Sequence, residues 1–277
     1  MQQRFRNAIQ AIHGQKIPEF PAEILQLEKE INSKLASIVT VAEIIEKNTT
    51  LSGEVMRIVN SPIVKLREPV RSIREAVNVL GLDNIYNLVV AAAVKNLFGG
   101  EGLLKDIMDH SVDIAFCMAD ISEWVEGVSR DEAYMLGLFH NAGAMLLASK
   151  DELKYDPLFR AGLSLPISCI AKEEAAYGSN HAIIGVLIGK KWHLPTEMLN
   201  AIMLHHNEKC ELIKNDNVRA MVAMIKLASA IVSEISLGAY RGGEMKAYEF
   251  DGMQELMIED NVITEIRTAL MSYSFKD

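Results

Sequence analysis

The chain has 277 residues, 49% of them hydrophobic and only 6% aromatic, with a net charge of −9 and a sequence pI of about 5.4. That length suits one large or two small globular domains, and the excess of Ala, Leu, Ile, Val and Met over aromatics favours helices over a β-sandwich. The acidic balance argues against a general binder of nucleic acid or anionic membranes, since phosphate binding needs clustered Lys and Arg.

The N-terminus, Met1-Gln2-Gln3-Arg4-Phe5-Arg6, is not followed by an apolar signal core. The apolar stretches at 85–94 and 218–233 are too short, or too interrupted by charge, to span a bilayer. Cys117, Cys169 and Cys210 are odd in number and widely spaced, without a Cys-x-x-Cys pair. They read as reduced packing thiols, so a soluble, cytoplasmic protein is expected.

Ile17-Pro18-Glu19-Phe20-Pro21 is extended, because each proline disfavours helix in the residue before it. A helix is expected over 22–35, with Ile24, Leu27 and Ile31 on its apolar side. Ile38 and Val41 open a second helix that stops near Asn48-Thr49-Thr50, and a third carries Leu51, Val55, Ile58 and Val59 up to Asn60-Ser61-Pro62. Ser72 with Glu75 has capping-box spacing, Gly81 ends the helix that follows, and Asp83 can cap the next, which runs to Phe98. Gly99-Gly100-Glu101-Gly102 is the clearest break. It suggests a division into 1–99, a helical bundle over 103–240, and a C-terminal loop and helix over 241–277.

A long helix is expected over 103–125, striped by Ile107, Ser111, Ile114, Met118, Ile121 and Val125, with His110 beside the stripe. Ser129 and Asp131-Glu132 then start a central helix. Its stretch from Leu136 to Leu147 is nearly all apolar and should be one helix buried on most sides, with His140-Asn141 as a polar couple in its middle. Helices near 151–161 and 166–177 follow, the second stopped by Gly178. Asn180 precedes a helix carrying His181, and Leu194-Pro195-Thr196 restarts the chain into one ending at His205-His206. The longest helix is expected over 217–240 with Ser229 on its buried stripe, Arg241-Gly242-Gly243 breaks it, and a last helix covers 253–273. No strand pattern and no internal repeat is evident, so the fold class is all-α.

Burying an imidazole and an amide requires partners. His110, His181, His205 and His206 are therefore candidates to share one polar pocket with His140 and Asn141. The plain alternative for each histidine is a hydrogen-bonded core residue, and for His206 an exposed neighbour of the cluster. His13 and His193 read as surface or boundary residues. The basic cluster Arg67, Arg71 and Arg74 reads by default as solvated surface, with an anionic-ligand or partner site as the alternative.

Several runs together resemble the HDOD family, regulatory relatives of the HD-domain phosphohydrolases. They are Ile17-Pro18-x-Phe20-Pro21, Val59-Asn60-Ser61, Ile73-x-x-Ala76-Val77-x-x-Leu80-Gly81, Leu138-Phe139-His140-Asn141-Ala142-Gly143, Glu174, Gly178-x-x-His181, Trp192-x-Leu194-Pro195 and Ile202-x-x-His205-His206. The resemblance covers about 17–230 and implies a short-helix N-terminal bundle packed on an HD-like helical bundle. It also implies a bacterial signalling protein. Active HD enzymes hold metal with a helix His, a His-Asp pair and a late Asp; the matching positions here are His110, His140, Asn141 and Ser229, so both carboxylates are missing, and the resemblance implies one pocket that includes Ser229, with His110, His140, His181 and His205 as its candidate metal ligands. Such a site of neutral imidazoles suits zinc, nickel or iron and poorly suits magnesium or manganese. The resemblance thus implies a degenerate site that binds a protein partner or a small anionic ligand and needs no cofactor. The rivals are a metal-dependent phosphohydrolase working through a His-rich site and a helical scaffold without a ligand. Oligomeric state is left open by the sequence.

Overall fold

The computed structural model describes residues 2–61, 64, 66–98, 100–235 and 241–274, apart from the side chains of Asp83 and of 272–274. The sequence expectations for Pro62, for the Asp83 cap, for Gly99 and for the helix reaching 236–240 lie outside what is described. Among the described residues the chain is helical throughout, with two short 3-10 turns and no strand. No helix among them is long and apolar enough to cross a membrane.

Two compact units divide the chain: Pro18–Gly99, and Met1–Ile17 together with Gly100–Asp277. The first holds α2 (Ala22–Ile31), α3 (Ile38–Glu46), α4 (Thr49–Val59), α5 (Ile73–Leu80) and α6 (Leu82–Phe98). Its caps follow local chemistry. Asn48 accepts from Leu51 N–H, Ser72 accepts from Glu75 N–H, and Gly81 turns the chain at φ 79. The Asn60 amide clamps the loop after α4 by exchanging two hydrogen bonds with Val70, at 2.8 and 3.0 Å. Helix α2 stops at Ile31, short of the expected Leu35, which is exposed.

The second unit holds α1 (Gln2–Ala11), α7 (Leu103–Ile121), α8 (Arg130–Phe139), α9 (Ala142–Lys150), α10 (Glu152–Gly162), α11 (Ser168–Tyr177), α12 (His181–Lys191), α13 (Thr196–Leu204), α14 (Asp216–Ile235), α15 (Gly243–Leu256) and α16 (Asp260–Ser274). No helix was expected at the N-terminus, yet α1 forms and packs on α12. Lys150 Nζ donates to the Ala11 carbonyl, and Lys190 sits over the Phe5 ring. These contacts place the first residues with this unit and not with 18–99. The region after 241 also belongs to it, as two helices and not one, because Met257 turns left-handed at φ 52 between α15 and α16.

The expected single helix through Leu136–Leu147 is in fact two. Ser129 and Glu132 start α8 with a complete capping box. The helix then ends at His140. The Gly137 carbonyl, which a continuing helix would offer to the Asn141 N–H, instead faces His140 Nδ1 at 2.5 Å. A side chain that takes a carbonyl three residues back competes with the backbone ladder. Asn141 leaves the helix at φ −100, ψ 11, and α9 starts afresh at Ala142. The break therefore comes from the polar couple itself, which an apolar count over the stretch does not register.

Candidate functional site

The second unit holds a small, partly open cavity of about 50 Å³. His110, His140, Asn141, His181, His205, His206 and Ser229 all line it, joined by Tyr155, Cys169, Glu173, Ser233 and Tyr248. A water needs roughly 10–15 Å³, so that space takes an ion and a few waters.

Local structure aims the imidazoles. His140 ends α8 and His205 ends α13, and each ring turns back on its own helix, Nδ1 meeting the carbonyl three residues earlier: Gly137 at 2.5 Å and Ile202 at 2.6 Å. A carbonyl only accepts, so Nδ1 carries the proton and Nε2 keeps its lone pair. His181 opens α12. Its Nδ1 lies 2.9 and 2.8 Å from the two oxygens of Glu173, and its backbone N–H donates to the same carboxylate at 2.7 Å. Tyr155 O–H donates to the other Glu173 oxygen at 2.7 Å. A carboxylate at a helix N-terminus meets both an orphan donor and the positive end of the dipole. His181 therefore also presents Nε2 as a lone pair.

These lone pairs converge. His181 Nε2 lies 3.3 Å from His205 Nε2 and 2.8 Å from His206 Nε2. His206 also donates to the Pro166 carbonyl, and its Nδ1 is 3.9 Å from Cys169 Sγ. Tyr248 O–H on α15 donates to the His205 carbonyl, holding the end of α13 in place. The nitrogens of His181, His205 and His206 lie within 4.8 Å of one another. His140 stands behind His205, with ring centroids 5.5 Å apart, and His110 stands farther along, 6.5 Å from His140 and edge-on to Phe159. His206, placed in the pocket by its sequence but not among the candidate ligands, thus joins the convergent group, whereas His110 lies outside it.

Burial favours the neutral form of four of these histidines. It lowers His110 to about 4 and His140 to about 3, the latter against the pull of the Gly137 carbonyl. Burial and then the neighbouring imidazoles hold His206 and His205 well below the ordinary histidine value. Burial pushes Glu173 upward, but the His181 ring, its backbone N–H and Tyr155 together bring it below the usual carboxylate range. Burial, reinforced by Glu173, raises Tyr155 well above the usual phenol value. Cys169 is likewise raised by burial and stays a thiol, donating to the Pro166 carbonyl at 3.2 Å.

Imidazole nitrogens facing each other at 3.3 and 2.8 Å share either a proton, as N–H···N hydrogen bonds, or a metal ion. Two imidazole nitrogens bound tetrahedrally to zinc at 2.0–2.1 Å are roughly 3.3–3.4 Å apart. The His181–His205 spacing fits that edge; the His206 contact is about half an ångström shorter. The donor set suits an ion that accepts neutral nitrogen. Asn141 and Ser229 line the same pocket and offer no charge. Among the described residues Glu173 is the only carboxylate lining it, and it is committed to His181 and Tyr155.

Sequence reading singled out Glu174 and passed over Glu173. Glu174 accepts from Asn180 Nδ2 at 2.7 Å and meets Arg4 at the surface, while Glu173, four residues after the buried Cys169, faces inward. That spacing, and the need of a buried His181 for a partner, were the available signals. Tyr155 and Tyr248 carried none.

The HDOD domain family signature matches residues 17–208. A Geobacter sulfurreducens HDOD domain protein of unknown function superposes with a TM-score of 0.71 at 23% identity, covering 97% of both chains. A candidate phosphohydrolase from Shewanella amazonensis SB2B gives a TM-score of 0.69 at 20% identity, over 96% of this chain and 93% of that one. A candidate signal transduction protein from Marinobacter aquaeolei VT8 gives 0.68 at 19% identity, over 98% of this chain and 62% of the other. An uncharacterized Treponema pallidum (strain Nichols) protein is 22% identical over 193 residues; the match spans 69% of this chain but only 38% of that protein.

Proposed function

We propose, from the premise that the chain belongs to the HDOD domain family, that it is a signalling module that binds rather than hydrolyses. The observation that carries this reading is the cavity wall. The resemblance matches Asn141 and Ser229 to the aspartate positions of an HD hydrolase, both residues line the pocket without charge, and the one lining carboxylate among the described residues, Glu173, is already committed. A hard hydrolytic cation lacks the negative charge that holds it, and the acceptors left for a metal-activated water, His110 and His140, are weak bases because burial lowers them.

In this reading His181, His205 and His206, with His140 behind them, hold one imidazole-preferring divalent ion such as zinc, nickel or iron. When bound, that ion supplies a Lewis-acidic position facing Asn141 and Ser229. With neutral ligands its charge is uncompensated, so a small anion is the fitting companion, its size limited by the 50 Å³ cavity. Output then passes through a protein partner. The buried, unpaired thiols Cys117, Cys169 and Cys210 fit a cytoplasmic setting.

The convergent imidazoles also support a second reading, a phosphohydrolase working through the same ion. Elemental analysis of the tag-free protein, followed by zinc, nickel, iron and manganese titration, decides between them when coupled to a phosphodiester assay. Zinc, nickel or iron bound without turnover is the expected result. Metal-dependent hydrolysis lost in His140→Ala would refute the binding reading. Absence of any metal binding would remove the ion from it.

A further inference from the structure

The convergent imidazoles differ in what stands behind them. His140 and His205 are steered by backbone carbonyls, which hold a ring in one tautomer but bring no charge. His181 is steered by a carboxylate. Glu173 is 2% exposed, reaches His181 through Nδ1 and through its backbone N–H, and is itself fixed by Tyr155 O–H. Three donors converge on one buried carboxylate from α10 and from the first residue of α12. This single negative charge sits on the far side of the ring whose Nε2 faces His205 and His206.

We infer that Glu173, backed by Tyr155, is the positioning residue that makes His181 a metal ligand. The inference rests on the metal reading above. A carboxylate behind an imidazole fixes the ring, fixes its tautomer and raises the basicity of the distal nitrogen. It also supplies a counter-charge one residue removed from the ion, in a pocket that has no other among the described residues. Asn141 and Ser229 bring no charge to the pocket, while Glu173 retains it behind His181. The ion is therefore held through His181 more strongly than through His205, although both rings sit at similar depth.

The test uses the full-length, tag-free chain, zinc titrated against a competing chelator, and the visible absorption of cobalt(II) as a report on ligand geometry. Glu173→Gln keeps an acceptor for the ring but removes the charge. It should weaken zinc roughly 10–100-fold, the range known for such outer residues, and shift the cobalt spectrum, and it should lower the metal-free melting temperature as well, because one of the three donors then faces the amide NH2. Tyr155→Phe leaves Glu173 on His181 and should weaken zinc less, by up to roughly tenfold. Glu174→Gln, one residue on and directed at Asn180, should leave zinc affinity unchanged. Equal zinc affinity in wild type and Glu173→Gln would overturn the inference and leave the metal reading standing. Should Glu173→Gln fail to fold, zinc affinity in Tyr155→Phe decides the matter, and no change there overturns the inference. A wild-type chain that binds no zinc, nickel, iron or cobalt overturns both.

Discussion

Gly143 is where the site is most sensitive to a single methyl group. It lies in the first turn of α9, and a Cβ there would fall 2.0 Å from the His181 carbonyl oxygen and 2.7 Å from Gly185 N. Both are backbone atoms of α12 and neither can rotate away. Reaching even 3.0 Å requires the first turn of α12 to retreat by about 1 Å. Overpacking of this kind typically costs about 1–3 kcal/mol, and a backbone clash belongs at the upper end. The same retreat carries His181 away from His205, whose 3.3 Å spacing fits a shared ion. Gly143→Ala should therefore lower the melting temperature by roughly 5–10 °C, at about 2–4 °C per kcal/mol for a chain of this size, and weaken zinc binding. Gly53→Ala in α4 is the control, because a Cβ there meets open space. It should stabilise by roughly 0.5–1 kcal/mol. Differential scanning calorimetry with a zinc titration reads both. A Gly143→Ala chain that melts within 2 °C of wild type and binds zinc equally would refute the close-packing account.

Acid should destabilise the metal-free protein. His110 and His140 bind fewer protons folded than unfolded between about pH 6.5 and their depressed values of about 4 and about 3, so stability falls as pH drops below 6.5. At pH 5 the loss is about 2 kcal/mol for each histidine, which urea melts at pH 7.5 and pH 5 will measure; a flat profile contradicts neutral burial. The Asn141→Asp/Ser229→Asp double variant should gain manganese binding that the wild type lacks, seen by electron paramagnetic resonance, and should lose stability without metal. Lys226, fully buried, pairs with Asp251 at 2.6 Å. Asp251→Asn removes its counter-charge, leaving the Glu208 carbonyl at 3.2 Å and the Tyr248 ring, and should destabilise in urea melts more than Lys226→Met, which removes the ammonium.

Elements whose stripe and cap agree were legible from sequence. Leu51, Val55, Ile58 and Val59 face inward on α4, and the caps at Ser72, Ser129, Asn180 and Gly178 work as their residue types suggest. The pocket residues were named as a set because buried imidazoles need company, and the structure lines one cavity with them. What escaped depends on side chains acting on backbone, or on which of two adjacent residues turns inward. The His140 ring takes a carbonyl and splits a helix; Glu173 and Glu174 are neighbours with opposite fates. Helix α1 escaped because its stability comes from packing on α12 and not from its own weak apolar face.

The loss of charge at Asn141 and Ser229 also bears on what the cavity does when no ion is bound. Two aspartates facing each other in a buried space would have to be protonated or to carry a metal, since like charges at low dielectric raise one another's pKa. A hydrolase built that way depends on its ion for stability as well as for chemistry. Here burial favours the neutral form of His140, His205 and His206, and Asn141 and Ser229 are neutral by nature. Among the described lining residues Glu173 is the one carboxylate, and it is balanced by three donors. On the proposed reading, a pocket that carries so little charge of its own can stay folded as an ion comes and goes, and binding and release then exchange two folded states.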